Sequence, residues 1–361
     1  MNPLAKELNE IIEQGNPHLM EMMAEVGKNL FFPKGILSQS AEAKEKAHRI
    51  NATIGIAKEG NATMALPSVM ANITGLPAEQ SLTYAPSFGI PALRAAWKDA
   101  IYEKNPSLGG RAISLPVVTN GITHGISVFA DVWVDPGDVV ILPDMMWGNY
   151  NMILNVRKHA TITHFKIFTE SGGYNTDAFA AKVKEEAAQR DKIIVLLNFP
   201  QNPTGYTLTV EEADRIVQVL TEVAQAGTNV IAVADDAYFG LFFEDNVLKE
   251  SVFARLAGAH PRLLAVKLAD GATKENYVWG LRVGFITYGC SAEKDLKPFT
   301  MPWFEKPRAR SGAIFTNASH LSQSIVLASM KSEAFAAEKA EKYKILGVHT
   351  AKVKNVPDPQ R

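Results

Sequence analysis

From Pro116 to Cys290, short apolar runs alternate with longer amphipathic segments. Runs of this length, rich in Val, Ile and Leu and bounded by turn residues, are typical of strands buried on both faces. The segments between them repeat apolar residues at intervals of three and four, which is typical of helices that bury one face. The predicted strands are VVT (117–119), DVVILP (138–143), TITHFKIF (161–168), KIIVLLN (192–198), VIAVADD (230–236), LLAVKLA (263–269) and RVGFITYG (282–289).

The clearest unit is the strand, helix and strand between residues 192 and 236. Its helix should begin after Thr209, because Glu212 stands three residues later and completes a capping box, and it should end at Gly227. Two consecutive strands joined by a helix need a crossover, so the two strands should be parallel. The sequence therefore predicts an α/β fold, with a mostly parallel sheet and helices on both faces.

Composition and charge narrow the class of protein. The chain has 361 residues, 47% of them hydrophobic, which suffices for a large domain with a smaller companion. Its net charge of -1 leaves no basic stripe for nucleic acid, and no apolar run is long enough to span a membrane. The single cysteine, Cys290, excludes an internal disulfide, and residues 1–15 do not resemble a signal peptide. We therefore expect a cytoplasmic protein that binds neither nucleic acid nor a membrane.

Polar and aromatic side chains follow the predicted strands at the ends where open parallel sheets bind ligands. They are Asn120, Trp147, Asn202, Asp235 and Lys274. A lysine at the ends of buried strands is a candidate nucleophile or Schiff-base residue. We expect this lysine to share a site with the aspartate, the asparagines, the tryptophan ring and a helix N-terminus. Such a site is suited to an aromatic phosphate that carries an aldehyde.

Six motifs occur in a fixed order between Tyr84 and Gly284. They are YAPSFGIPALR (84–94), TNGITHG (119–125), WGNY (147–150), NPTG (202–205), DDAYFG (235–240) and TKENYVWGLRVG (273–284). In these motifs the chain resembles the fold-type I pyridoxal-phosphate enzymes of the class I aminotransferase family, and its aspartate and aromatic aminotransferase branch in particular. The resemblance implies a large cofactor-binding domain at 61–310, an N-terminal segment at 1–60 that packs with the small domain, and the start of that domain at 311–361.

The resemblance implies three catalytic residues. Lys274 would form a Schiff base with pyridoxal phosphate and, once released by substrate, would move a proton as general base and acid. Asp235 would bind the pyridine nitrogen and keep it protonated. The adjacent Asp236 is the alternative, and the spacing to Tyr238 favours Asp235. Tyr238 and Asn202 would donate hydrogen bonds to the phenolic oxygen of the cofactor.

The resemblance also implies how the rest of the cofactor is held. Trp147 would stack on its ring, and Tyr84 would reach its phosphate from the partner subunit of a homodimer with shared active sites. Relatives often carry a hydroxyl residue three positions before the lysine, where this chain has Gly271, so Thr273 would take over that contact. The other predicted phosphate contacts are the start of a helix at Asn120, Gly121 and Ile122, and the guanidinium of Arg282.

The implied substrates are an L-amino acid and a 2-oxo acid, with no metal. Trp147 and its WGNY motif favour an aspartate-like or glutamate-like amino acid, and an aromatic or other amino acid is the alternative. The candidate substrate contacts are Ala57, Trp147, Asn202, Arg308 and Arg310. Either of the last two could bind a distal carboxylate, and solvated surface arginines are the other interpretation. In the family, an arginine far downstream holds the α-carboxylate, whereas this sequence ends at Arg361. Either the chain is truncated or another group holds the carboxylate; we favour truncation and expect a chain that binds cofactor and transaminates poorly.

Two other functions fit part of the same pattern. A lyase or decarboxylase with this cofactor would share the motifs, because they bind the cofactor and do not select the bond that breaks. A non-catalytic ligand-sensing module is disfavoured by the lack of a basic segment. A nicotinamide-binding protein is disfavoured as well, because no GxGxxG follows a predicted strand. The leading interpretation is an aminotransferase.

Overall fold

The structure is a computed structural model that describes residues 1–15, 56–60, 62–269, 272–291 and 317–354, with isolated positions between 23 and 53. The helices are α1 (Pro3–Gly15), α2 (Pro67–Asn72), α3 (Ala78–Ser81), α4 (Pro91–Lys104), α5 (Gly121–Trp133), α6 (Thr176–Ala187), α7 (Val210–Gln225), α8 (Val252–Leu256), α9 (His320–Met330) and α10 (Phe335–Lys354). The strands are β1 (Lys58–Glu59), β2 (Ala62–Thr63), β3 (Val117–Thr119), β4 (Val139–Pro143), β5 (Thr161–Phe165), β6 (Lys192–Asn198), β7 (Asn229–Asp235), β8 (Leu263–Ala269) and β9 (Gly284–Gly289).

Within these ranges, seven strands form one sheet in the order β3-β9-β8-β7-β6-β4-β5. The strands β4 to β8 run parallel to one another, and β9 runs antiparallel to both β8 and β3. The predicted fold class, an α/β fold with a mostly parallel sheet, is therefore confirmed. Because β9 is reversed, Arg282 just before it lies at the edge where the parallel strands have their carboxyl ends.

Apolar layers cover both faces of the sheet. Along β6, Val195 belongs to one buried cluster, and Leu196 belongs to the other. Helix α7 buries Ile216 against the first cluster, and α5 buries Phe129 against the second. Helices on both faces explain why the central strands are apolar at almost every position. The capping box of Thr209 and Glu212 at the start of α7 is present as well.

Three local features differ from the sequence prediction, and two of them have a clear physical cause. The strand TITHFKIF ends at Phe165, because the backbone N–H of Ile167 donates to the side chain of Asp144 at 3.0 Å. The last strand begins at Gly284, because Arg282 has the left-handed φ of 52°. The helix-like segment after β4 contains a π-helix, Asn151–Val156.

Helix α10 contacts the rest of the chain through charged side chains. The carboxylate of Glu338 accepts hydrogen bonds from the backbone N–H and the hydroxyl of Ser68. One helical turn further, Lys342 pairs with Glu59 at 2.8 Å. Among the described residues, no helix has both the length and the apolar character to cross a membrane.

Candidate active site

A pocket opens at the carboxyl ends of β6, β7 and β8, with an empty volume of about 350 Å³ including its mouth. Its lining residues are Ile122, Trp147, Tyr150, Asn198, Asn202, Asp235, Ala237, Tyr238 and Lys274. The parallel strands bring these residues together, because each strand ends at this edge of the sheet.

Asp235 is the buried acid of the pocket. It is the last residue of β7 and is 2% exposed. Its Oδ2 accepts a hydrogen bond from the Tyr150 hydroxyl at 2.5 Å, and its Oδ1 accepts one from the backbone N–H of Ala237 at 3.1 Å. Burial raises the pKa of Asp235 to about 6, although these hydrogen bonds and the charge of Lys274 act to lower it. Such a carboxylate favours a ligand that brings a positive N–H group to it.

Asp236 lies outside the pocket. Its carboxylate forms an ion pair with Lys267 and accepts a hydrogen bond from the Ser251 hydroxyl at 2.7 Å. Burial raises its pKa, and Lys267 counteracts that effect. Of the two adjacent aspartates, the structure therefore brings Asp235 to the predicted site.

Lys274 lies in the turn after β8, and its Nζ is 4.8 Å from the centre of the Tyr238 ring. The Tyr238 hydroxyl is 3.4 Å from the side-chain nitrogen of Asn202. Asn198 supports this arrangement, because its Oδ1 accepts from the Asn202 backbone at 2.8 Å and its Nδ2 donates to the Asp235 carbonyl at 2.9 Å. The amide of Asn198 thus ties the loop after β6 to the end of β7.

A cradle suited to a phosphate lies where α5 begins. Gly121 has a φ of 75°, and a Cβ at this position would be 2.3 Å from Nη2 of Arg282. A Cβ on Gly284 would be 2.7 Å from the Gly121 carbonyl carbon, so only glycines allow this close approach. The helix N-terminus and the guanidinium both favour an anion. The buried Thr273 hydroxyl has no hydrogen-bond partner among the described residues. These features fit the phosphate of pyridoxal phosphate.

The remaining predicted residues lie elsewhere. Tyr84 is 88% exposed and does not line the pocket of its own chain. Ala57 is partly buried outside the pocket, where its carbonyl accepts a hydrogen bond from Met64 at 3.0 Å. The N–H of Asn120 already donates to Nδ1 of His124 at 3.0 Å. The predicted Arg308 and Arg310, and Gly271 at the position where relatives carry a hydroxyl residue, lie outside the described residues.

Three lining residues, Tyr150, Asn198 and Ala237, are absent from the predicted site residues. Asn198 ends the predicted strand KIIVLLN, so the strand-end rule that selected Asp235 could have found it. Tyr150 belongs to the WGNY motif, but nothing in that motif indicates that its hydroxyl points to Asp235.

Known proteins match this chain in sequence and in structure. The family model described as aminotransferase class I and II matches residues 48–349. The chain is 26% identical over 208 residues to a probable N-acetyl-LL-diaminopimelate aminotransferase of Bacillus subtilis, covering 58% of this chain and 48% of that protein. It is 27% identical over 213 residues to an aspartate aminotransferase of Geobacillus stearothermophilus, covering 56% and 47%. The chain thus spans about half the length of these curated relatives.

A solved aminotransferase from Anaerococcus prevotii has a similar structure. The TM-score is 0.75 at 25% identity, and the match covers 91% of this chain and 79% of the other. The structural match thus extends over more of the chain than the sequence matches do.

Proposed function

Because this chain belongs to the class I and II aminotransferase family, we propose that it is a pyridoxal-phosphate-dependent aminotransferase. It would exchange an amino group between an L-amino acid and a 2-oxo acid. One observation carries the proposal: a lysine and a buried aspartate share one pocket beside a glycine cradle that holds a guanidinium. When bound, the cofactor supplies an aldehyde for the lysine and a ring that accepts electrons.

Each pocket residue has a physical task in this proposal. Lys274 would hold the cofactor through its amino group and would move the proton at the substrate Cα. Asp235 would bind the ring nitrogen and keep it protonated, and that positive partner would offset the cost of burying the carboxylate. Tyr238 and Asn202 would donate to the phenolic oxygen, and Trp147 would pack on the ring.

The phosphate end would be held by groups from two elements. Arg282 provides a planar fork of donors, and the first N–H groups of α5, at Gly121 and Ile122, provide further ones. The buried hydroxyl of Thr273, the residue before Lys274, would be a further donor to the same anion.

Substrate, assembly and location are part of the same proposal. An aspartate-like or glutamate-like substrate is supported by the similarity to a protein named aspartate aminotransferase. The exposed Tyr84 supports a homodimer in which it reaches the partner's phosphate site. The low cysteine content, Cys290 alone, supports a cytoplasmic location. The proposed division places the cofactor-binding domain at 61–310, between a segment at 1–60 and the start of a small domain at 311–361.

The first test is spectroscopic. After incubation with pyridoxal phosphate and removal of unbound cofactor by gel filtration, the purified protein should be yellow, and borohydride followed by peptide mass spectrometry should locate the reduced label on Lys274. The Lys274→Ala variant should carry no label at this position, whereas Lys184→Ala, at an exposed surface lysine, should behave as the unmodified protein. An unmodified protein that is colourless after the gel filtration would refute the proposal.

A second measurement separates an aminotransferase from a lyase or decarboxylase. Aspartate or glutamate should convert the yellow form to the amine form of the cofactor, and 2-oxoglutarate should then restore it. A lyase or decarboxylase would release its product without needing an oxo acid for this return.

A further inference from the structure

Tyr150 contacts two of the groups that define the pocket. The side chain is 1% exposed, and its hydroxyl donates to Oδ2 of Asp235 at 2.5 Å. Its ring meets the Trp147 ring edge-on, with centroids 5.4 Å apart and planes at 88°. One buried tyrosine therefore touches both the acid and the aromatic ring of the proposed cofactor site.

The local backbone holds Tyr150 in place. Its N–H donates to the Trp147 carbonyl at 3.1 Å, and the π-helix Asn151–Val156 begins with the next residue. Ile153 and Leu154 of this π-helix are buried in the apolar cluster that also includes Tyr150. Because the ring belongs to this buried cluster, packing restricts its rotation away from Asp235. Single turns of π-helix are frequent at functional sites, which agrees with this placement.

The charges around Asp235 make the tyrosine hydroxyl important. Lys274 contributes a positive charge, and Asp236 contributes a negative one that Lys267 neutralises by pairing. Burial, and then the charge of Asp235, raise the pKa of Tyr150 well above its usual value, so the proton stays on the phenol. The phenol is thus a permanent donor to the carboxylate and stabilises its ionised form.

We propose that Tyr150 is a positioning residue that keeps the Asp235 carboxylate ionised and oriented and that holds the Trp147 ring by its edge. This role rests on the proposed function, in which Asp235 and Trp147 contact the cofactor. The Tyr150→Phe variant separates the two contacts, because it keeps the ring against Trp147 and removes only the donor to Asp235.

The expected effect is a shift in the titration of Asp235. A hydrogen bond to a charged group corresponds to about one pKa unit or more, so the midpoint should rise from about 6 by about one unit. It can be measured in the cofactor-free protein by infrared spectroscopy. The protonated carboxyl band of Asp235 is identified by its loss in Asp235→Asn. This measurement needs no cofactor, so it tests Tyr150 even if the proposed function fails.

Binding of pyridoxine 5′-phosphate gives the second readout. This probe has the cofactor's ring and phosphate but no aldehyde, so it cannot bond covalently to Lys274. At about pH 5.5, Tyr150→Phe should bind it roughly eightfold more weakly than the unmodified protein, because a one-unit shift leaves fewer carboxylates ionised. At about pH 8.5 the two affinities should converge, since Asp235 is ionised in both proteins. The ionisable groups of the probe itself titrate in the same way in both experiments, so they do not contribute to the difference between the two proteins.

The matched control is Tyr174→Phe. Tyr174 is also a buried tyrosine, 3% exposed, but its hydroxyl has no hydrogen-bond partner among the described residues. Tyr174→Phe should leave both the infrared midpoint of Asp235 and the pH dependence of probe binding unchanged. An Asp235 midpoint that does not move in Tyr150→Phe would overturn the proposal, and so would a loss of affinity of equal size at every pH. No binding of the probe by the unmodified protein would instead refute the proposed function, and the infrared midpoint would still decide the role of Tyr150.

Discussion

The buried carboxylate of Glu275 offers the sharpest test of the electrostatics around the site. Glu275 follows Lys274 in the chain, and its side chain is 10% exposed. Its Oε1 accepts hydrogen bonds from Lys104 at the end of α4 and from Lys339 in α10, the latter at 2.8 Å. One carboxylate therefore joins the turn of Lys274 to two helices.

The structure gives the size of this contribution. Burial alone would raise the pKa of Glu275, but Lys104 and Lys339 overcome that effect and lower it from 4.5 to about 2. The difference of about 2.5 units, at 1.36 kcal/mol per unit, corresponds to about 3 kcal/mol. Because the pKa is lower in the folded state, this stability is fully present above about pH 4.5 and is lost as the pH falls towards 2.

The variant Glu275→Gln keeps the shape and removes the charge. It leaves two partly exposed lysines without their carboxylate, so the cost should lie near the lower end of the roughly 3–5 kcal/mol found for fully buried pairs. We expect the free energy of unfolding in urea at neutral pH to fall by about 3 kcal/mol or more. The difference from the unmodified protein should narrow as the pH falls below about 4.5.

The control for this experiment is Glu185→Gln. Glu185 pairs with Lys182 on the surface, where its side chain is 55% exposed, so its loss should change stability by less than about 0.5 kcal/mol. A free energy of unfolding that is unchanged in Glu275→Gln at neutral pH would refute the reasoning. If the difference in free energy of unfolding between Glu275→Gln and the unmodified protein stayed constant from neutral pH to about pH 3.5, the titration of Glu275 would not be the source of this stability.

Two further predictions concern the pocket. The Asp235→Asn variant should raise the free energy of unfolding of the cofactor-free protein at neutral pH by up to about 3 kcal/mol, and it should weaken cofactor binding. The pKa of Asp235 rises from 3.8 to about 6 on folding, so its ionisation above pH 6 lowers the stability of the folded protein, whereas asparagine does not ionise. An unchanged or lower melting temperature in calorimetry would contradict this prediction. The Gly121→Ala variant should lower pyridoxal-phosphate affinity about tenfold or more in equilibrium dialysis, because the new Cβ would displace Arg282. Gly172→Ala, also at positive φ but with open space around its Cβ, is the control, and equal affinity in both variants would argue against the cradle.

Much of the site could be anticipated because strand ends in a parallel sheet converge. The sequence shows where β6, β7 and β8 end, and the register then brings Asn198 opposite Asp235. Arg282 could be placed only through its motif, since no sequence pattern shows that β9 is reversed. The cofactor followed from the types of residue at those ends, and the family comparison supports it.

The direction of side chains could not be anticipated. Lys104 lies 171 residues from Glu275 in the chain, and Lys339 lies 64 residues away, so no local pattern reveals that they share one carboxylate. The contact of Tyr150 with Asp235 could not be predicted for a similar reason. Its segment has the spacing of an ordinary helix, and the π-helix that follows Tyr150 depends on packing against the sheet.

Two dipeptides show how the site depends on a layer of charges behind it. In both Asp235–Asp236 and Lys274–Glu275, the first residue lines the pocket and the second pairs with lysines outside it. The second residue of each dipeptide pairs with the nearby lysines. Lys267, for example, pairs with Asp236 and not with Asp235. Lys274 is then the one cation among the described residues that line the pocket. Asp235 consequently keeps its raised pKa and its need for a positive partner, and a ligand bearing a protonated ring nitrogen meets that need.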